Sequence, residues 1–128
     1  MADSFFSMFT PAEIAKISAA GTRVTLPEGW APIGERTAAD KAYIILSGEV
    51  SVRQHGQEIA RLGEGDIMGE AALVRRSLRT ASIVALTPLE LIHFTDAAIE
   101  RLSIEMPSFH DALEAVARER FPSEPGDQ

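Results

Sequence analysis

The 128-residue sequence contains no cysteine, which removes disulfide frames and thiolate metal sites together and fits a reducing compartment. Positive charge is scarce: 12 Lys and Arg stand against 19 Asp and Glu, for a formal net charge of −7. Nucleic-acid and anionic-membrane surfaces need clustered basic side chains, so this balance argues against both partners. Any anion bound here must be held by a local positive site working against the field of the whole chain. Long apolar runs are missing as well. Ala42–Leu46 is far too short to span a bilayer, and Met1-Ala2-Asp3-Ser4 lacks the basic and apolar regions of a signal peptide. The expectation is a cytoplasmic protein.

Enzyme signatures are absent too. Gly63-x-Gly65-x-x-x-Gly69 is one residue too long for a dinucleotide fingerprint, and no phosphate-loop lysine follows it. His55, His93 and His110 are scattered without metal-ligand spacing. There is no nucleophile elbow and no zinc-protease helix motif. Glu64 and Asp66 sit in a Gly-rich turn that needs them only as turn formers. The reading is a non-enzyme without a cofactor.

What is present reads as one domain over residues 1–122, with a frayed tail at 123–128. Thr10-Pro11-Ala12-Glu13 is a capping box with Pro at the first helical position, and Phe9 and Ile14 are spaced as a hydrophobic staple. Gly21 is a natural stop. Phe5, Phe6, Met8 and Phe9 should dock on the rest of the protein, since left exposed they would form a self-association patch that makes a homodimer. From Thr22 to Phe94, short extended runs alternate with turn signals. The runs are Ala42–Leu46, Glu49–Gln54, Glu58–Leu62, Thr80–Leu86 and Leu89–Phe94. Such spacing indicates a sandwich or barrel. Two helices follow, one capped by Thr95 and one opening at Pro107, whose Phe109, Leu113, Val116 and Ala117 keep a helical period until Pro122.

One stretch organises the rest. Gly69-Glu70-Ala71-Ala72-Leu73 allows close backbone approach and then favours a short helix, whose N-terminal N–H groups form an anion site. Arg79 follows nine residues after Glu70 and brings a planar, permanently charged guanidinium suited to a phosphate. A carboxylate beside an anion site makes sense when it accepts a hydrogen bond from a neighbouring hydroxyl; the bland alternatives are a first-turn Glu and a structural ion pair.

This stretch resembles the phosphate-binding cassette of the cyclic nucleotide-binding domain family, with Gly69, Glu70, Ala72, Leu73, Arg79, Ala81 and Ile83 matching in type and spacing. Ala71, Leu78 and the glycine-free loop depart from the pattern, which usually has a larger apolar residue, Pro and Gly. Upstream, Leu26-Pro27-Glu28-Gly29 and Tyr43–Val50 resemble the early strands of that family. The resemblance implies a mainly β jelly-roll with one N-terminal and two C-terminal helices and a short helix in the cassette. It implies that Glu70 takes the ribose 2′-hydroxyl and Arg79 the phosphate. Gly69, Ala72, Thr80 and Ala81 would supply close approach or N–H groups, with Met68 as pocket wall. The Thr80 hydroxyl would also reach a syn guanine, or would serve only as a strand residue.

The ligand expected from the resemblance is cAMP first and cGMP second. Arg118, Arg120 or Phe121 would act as a lid from the last helix. Mixed charge after Leu102 leaves no DNA-reading helix, so the output would be movement of the C-terminal helices against a separate, unidentified effector protein. Two alternatives remain open: a ligand-free interaction or dimerisation module, supported by Leu78, and a cyclic dinucleotide receptor that would use Arg75 and Arg76.

Overall fold

In the computed structural model, residues 5–31, 41–68 and 82–120 are described. A short 3-10 helix at Phe5–Met8 precedes α1, Pro11–Ala19. The strands are β1 Thr22–Leu26, β2 Lys41–Ser47, β3 Val50–Gln54, β4 Gln57–Leu62, β5 Ile67–Met68, β6 Ser82–Ala85 and β7 Leu89–Thr95. Helices α2, Asp96–Glu105, and α3, Pro107–Arg120, complete the order. The frayed tail expected at 123–128 and the cassette itself from Gly69 to Ala81 lie outside the described residues.

The strands form two antiparallel sheets, ordered β1-β7-β2-β5 and β4-β3-β6. Period-2 alternation then sorts side chains to two cores. On β2, Ala42 and Ile44 face the helices, whereas Tyr43 and Ile45 face the other sheet. On β7, Ile92 and Phe94 take the helix side and Leu89 and Leu91 the inter-sheet side. The central strands β2 and β7 are therefore buried on both faces, which is why they read as nearly unbroken apolar runs. Val50, Val52, Ile83 and Ala85 close the inter-sheet core from the three-stranded sheet.

The helical layer is built locally and then packed. Thr10 has extended backbone, its Oγ1 accepts from the Glu13 N–H at 3.2 Å, and its own N–H donates to Glu13 Oε1 at 2.9 Å. Thr95 caps α2 by accepting from the Ala98 N–H at 3.1 Å. The N-terminal aromatics dock as expected. Phe5 is 1% exposed and meets Phe9 and Phe109 edge-on at centroid distances of 5.1 and 5.8 Å. Met8 alone of that group stays largely exposed. Ser108 Oγ donates to Glu13 Oε2 at 3.2 Å, joining the start of α3 to the cap of α1.

The turns place the site. His55 and Gly56, with φ of 53° and 82°, make the two-residue β3–β4 hairpin, both in the left-handed region that matches strand twist. Gly63–Asp66 delivers the chain to β5. The Gly63 N–H donates to Asp66 Oδ2 at 2.9 Å, the Gly65 N–H to the Ile45 carbonyl at 2.7 Å, and the Phe6 N–H to the Gly65 carbonyl at 3.0 Å. Glu64 and Asp66 are turn residues, as expected.

Candidate functional site

Among the described residues β5 has two residues and two pairings, Tyr43 with Met68 and Ile44 with Ile67. Backbone bonding alone would hold so short a strand poorly. Its side chains do the rest: Ile67, fully buried, enters the helix-side core, and Met68, 1% exposed, enters the inter-sheet core. Neighbouring backbone bonds add to this, since the Ile45 N–H donates to the Asp66 carbonyl at 2.9 Å. Met68 is thus a fixed point of the four-stranded sheet.

The chain continues in the other sheet. Ser82, the first residue of β6, pairs with Arg53 beside the His55–Gly56 hairpin. The two ends of the candidate cassette are therefore anchored on opposite walls of the inter-sheet core. Ile83, the last residue of the sequence pattern, is 6% exposed and points into that core. Of the sequence candidates, Met68 is core and wall at once. Gly69, Glu70, Ala72, Arg79, Thr80 and Ala81 lie outside the described residues, as do Arg75, Arg76 and Phe121. Arg118 is exposed on α3, with Nη2 4.0 Å from Glu114 Oε1. Of Arg120, only its place at the end of α3 is described.

Next to Met68 the inner wall changes character. Tyr43 pairs with Met68 on one side and with His93 on the other. Its ring lies 5.4 Å from the His93 imidazole, tilted by 58°. Tyr43 is 8% exposed and His93 half-buried. Sequence reading passed over both: Tyr43 looked like one more strand aromatic, and His93 like an isolated histidine. Only the pairing of β2 with β5 and β7 puts them in one row.

The outer face of the three-stranded sheet carries a separate polar network. Ser51, fully buried, donates from Oγ to Glu58 Oε1 at 2.7 Å and accepts from Arg53 Nε at 3.1 Å. Arg61 Nε donates to Glu58 Oε2 at 2.9 Å. The Ser51 hydrogen bond, then Arg61, hold the Glu58 carboxyl below its ordinary value. The network straddles the bulge at Val52/Arg53 and pins the hairpin that flanks Ser82. An open groove of about 490 Å³ beside Leu26, Ser47, Leu89 and Glu90 lies at the opposite end of the sheet from Met68. Among the described residues no cluster of His, Asp and Glu is arranged to hold a metal, and no helix is long and apolar enough to cross a membrane.

The family model described as cyclic nucleotide-binding domain matches residues 23–105. Potassium/sodium hyperpolarization-activated cyclic nucleotide-gated channel 4 of Homo sapiens is 35% identical over 89 residues, covering 70% of this chain and 7% of the channel. The cGMP-dependent protein kinase of Toxoplasma gondii is 37% identical over 81 residues, 63% of this chain and 8% of the kinase. The chain therefore spans less than a tenth of either curated relative. The crystal structure of Thermus thermophilus catabolite activator protein superimposes with a TM-score of 0.81 at 27% identity, over 91% of this chain and 57% of that one. Two antiparallel sheets with flanking helices, the Gly-Glu and Arg pattern of the sequence, and these matches agree: the chain belongs to the cyclic nucleotide-binding domain family.

Proposed function

We propose that this chain senses a 3′,5′-cyclic mononucleotide in the cytoplasm, cAMP first and cGMP second, and signals to a separate protein through its C-terminal helices. The observation that carries this reading is the pairing of sequence and anchorage. Gly69, Glu70 and Arg79 keep the type and spacing of the family cassette, and the described ends of that stretch sit on the two walls of one core. Arg79 grips the phosphate and Glu70 the ribose hydroxyl; Thr80 and Ala81 offer N–H groups, and Arg118, Arg120 or Phe121 covers the base. Both relatives are named for a cyclic nucleotide, one of them for cGMP, which supports that ligand class.

Isothermal titration calorimetry with cAMP and cGMP tests this. Micromolar binding corresponds to about 8 kcal/mol, and removing a buried charge partner costs roughly 2–5 kcal/mol. Arg79→Leu should therefore weaken binding beyond detection while leaving Tm close to wild type. Unchanged affinity in that variant overturns the phosphate assignment. Thr80→Ala should lower affinity for cGMP by about the worth of one hydrogen bond, 0.5–1.5 kcal/mol, and leave cAMP unaffected; equal losses for both remove the base-reading role.

A further inference from the structure

We propose that β4 is a self-complementary edge, which pairs antiparallel with the β4 of a second copy of this chain and joins their two outer sheets into one. In the order β4-β3-β6 this strand has a single neighbour among the described residues. Every residue from Gln57 to Arg61 is exposed. An edge strand turns the N–H and C=O of alternate residues outward, where a second strand can satisfy them. Edges of this kind are commonly guarded by proline, lysine or a net charge. β4 has no proline and no lysine, and its one Glu and one Arg cancel.

The occupant follows from the order of the residues. A two-fold axis between Ile59 and Ala60 sets Glu58 of one copy opposite Arg61 of the other, and the symmetry repeats that pair. Opposite charges directly across two strands stabilise the pairing, and like charges oppose it. The same register lays Ile59, 49% exposed, against Ala60 of the other copy. The bulge makes the charges usable. In a regular strand residues three apart face opposite sides. Here the register passes from Val52 with Ala60 to Arg53 with Glu58 and leaves Ile59 as the extra residue. Glu58 and Arg61 therefore share the outer face, with Arg61 Nε 2.9 Å from Glu58 Oε2. The two terminal NH2 groups of Arg61 have no partner among the described residues, and across the axis they meet a second carboxylate. Ser51, itself tied to Arg53, already fixes Glu58 from Oγ at 2.7 Å, so the carboxylate is set before pairing. One strand-to-strand contact is small beside a standard interface, so the dimer should be weak.

The test is sedimentation equilibrium and amide chemical shifts of the full chain without nucleotide, over rising protein concentration up to about 1 mM. The mass should climb from 13.9 kDa toward twice that value while the amides of residues 57–62 shift. Ile59→Lys sets like charges beside the axis, outside the Ser51 network, and should weaken association about tenfold or more. Glu58→Arg and Arg61→Glu should each stay monomeric alone, since four like charges then meet across the axis. Mixed together they should form a one-to-one heterodimer, because opposite charges face each other again. A wild type that stays monomeric at the highest concentration overturns the proposal. So do shifts centred on Met8, Trp30 or Ile104, the other large apolar side chains exposed among the described residues, with none in β4. Failure of the two folded charge variants to pair with each other also overturns it. Should either of them not fold, unchanged association in Ile59→Lys has the same force.

Discussion

At the scale of single residues, two glutamates act through hydrogen bonds that need the ionised form. The Thr10 backbone N–H chiefly, opposed by desolvation and aided by the Ser108 and Thr10 side chains, holds Glu13 below its ordinary value. Glu58 is lowered chiefly by Ser51 and Arg61. A carboxyl whose folded pKa is depressed adds stability above its unfolded value and loses that stability as pH falls through the folded one. Tm should therefore hold steady from neutral pH down to the ordinary glutamate range and drop below it. Glu58→Gln should flatten part of that drop, as followed by thermal denaturation at stepped pH. An identical acid profile in this variant would remove Glu58 from the account. Thr10→Ala severs the capping box and should cost about 1 kcal/mol, read by urea denaturation.

At the scale of elements, much was legible because the signals are local. Thr10 and Thr95 cap their helices as their spacing predicts, and Phe109, Leu113 and Val116 are buried at the expected period. Strands expected at 42–46, 49–54, 58–62 and 89–94 appear at Lys41–Ser47, Val50–Gln54, Gln57–Leu62 and Leu89–Thr95. The strand expected at 80–86 is described as Ser82–Ala85. β5 escaped notice because two residues show no period, and its existence depends on pairing with β2. The Tyr43–His93 row escaped for the same reason, since β2 and β7 are separated by some fifty residues of sequence.

Phe9, spaced to staple Ile14, also joins the aromatic cluster, 5.1 Å from Phe5 and 6.3 Å from Phe109. Gly48 shows a turn signal with a measurable consequence. Its φ is 105°, and a Cβ there would sit 2.6 Å from the Pro88 carbonyl, a backbone atom that has little freedom to yield. Gly48→Ala should lower stability by about 2 kcal/mol or more; a change within error in chemical denaturation would show that the β2–β3 turn relaxes.

For the whole molecule, the fold is regulatory rather than catalytic, and the helical layer is part of its core. Phe109, Leu113 and Val116 cover a surface to which Phe94 and Ile44 also belong. A chain ending at Glu105 should lose cooperative unfolding, because removing α3 bares that surface. A cooperative transition near the full-length Tm would mean that α3 is dispensable. If the sensor reading holds, ligand at a hundred times its dissociation constant should add about 2.7 kcal/mol of stability. A thermal-shift panel of cAMP, cGMP and cyclic dinucleotides separates the three ligand readings, and no shift with any of them favours the ligand-free module.

The doubly covered strands β2 and β7 carry one more implication. Sliding the last strand by a single position would drive Phe94 and Ile92 into the space between the sheets and turn Leu91 and His93 toward the helices, so the error would be felt on both sides at once. Mispaired forms should then be absent from slow-exchange spectra, and the alignment that sets Tyr43 beside Met68 is proofread by contacts on the helix side of the sheet.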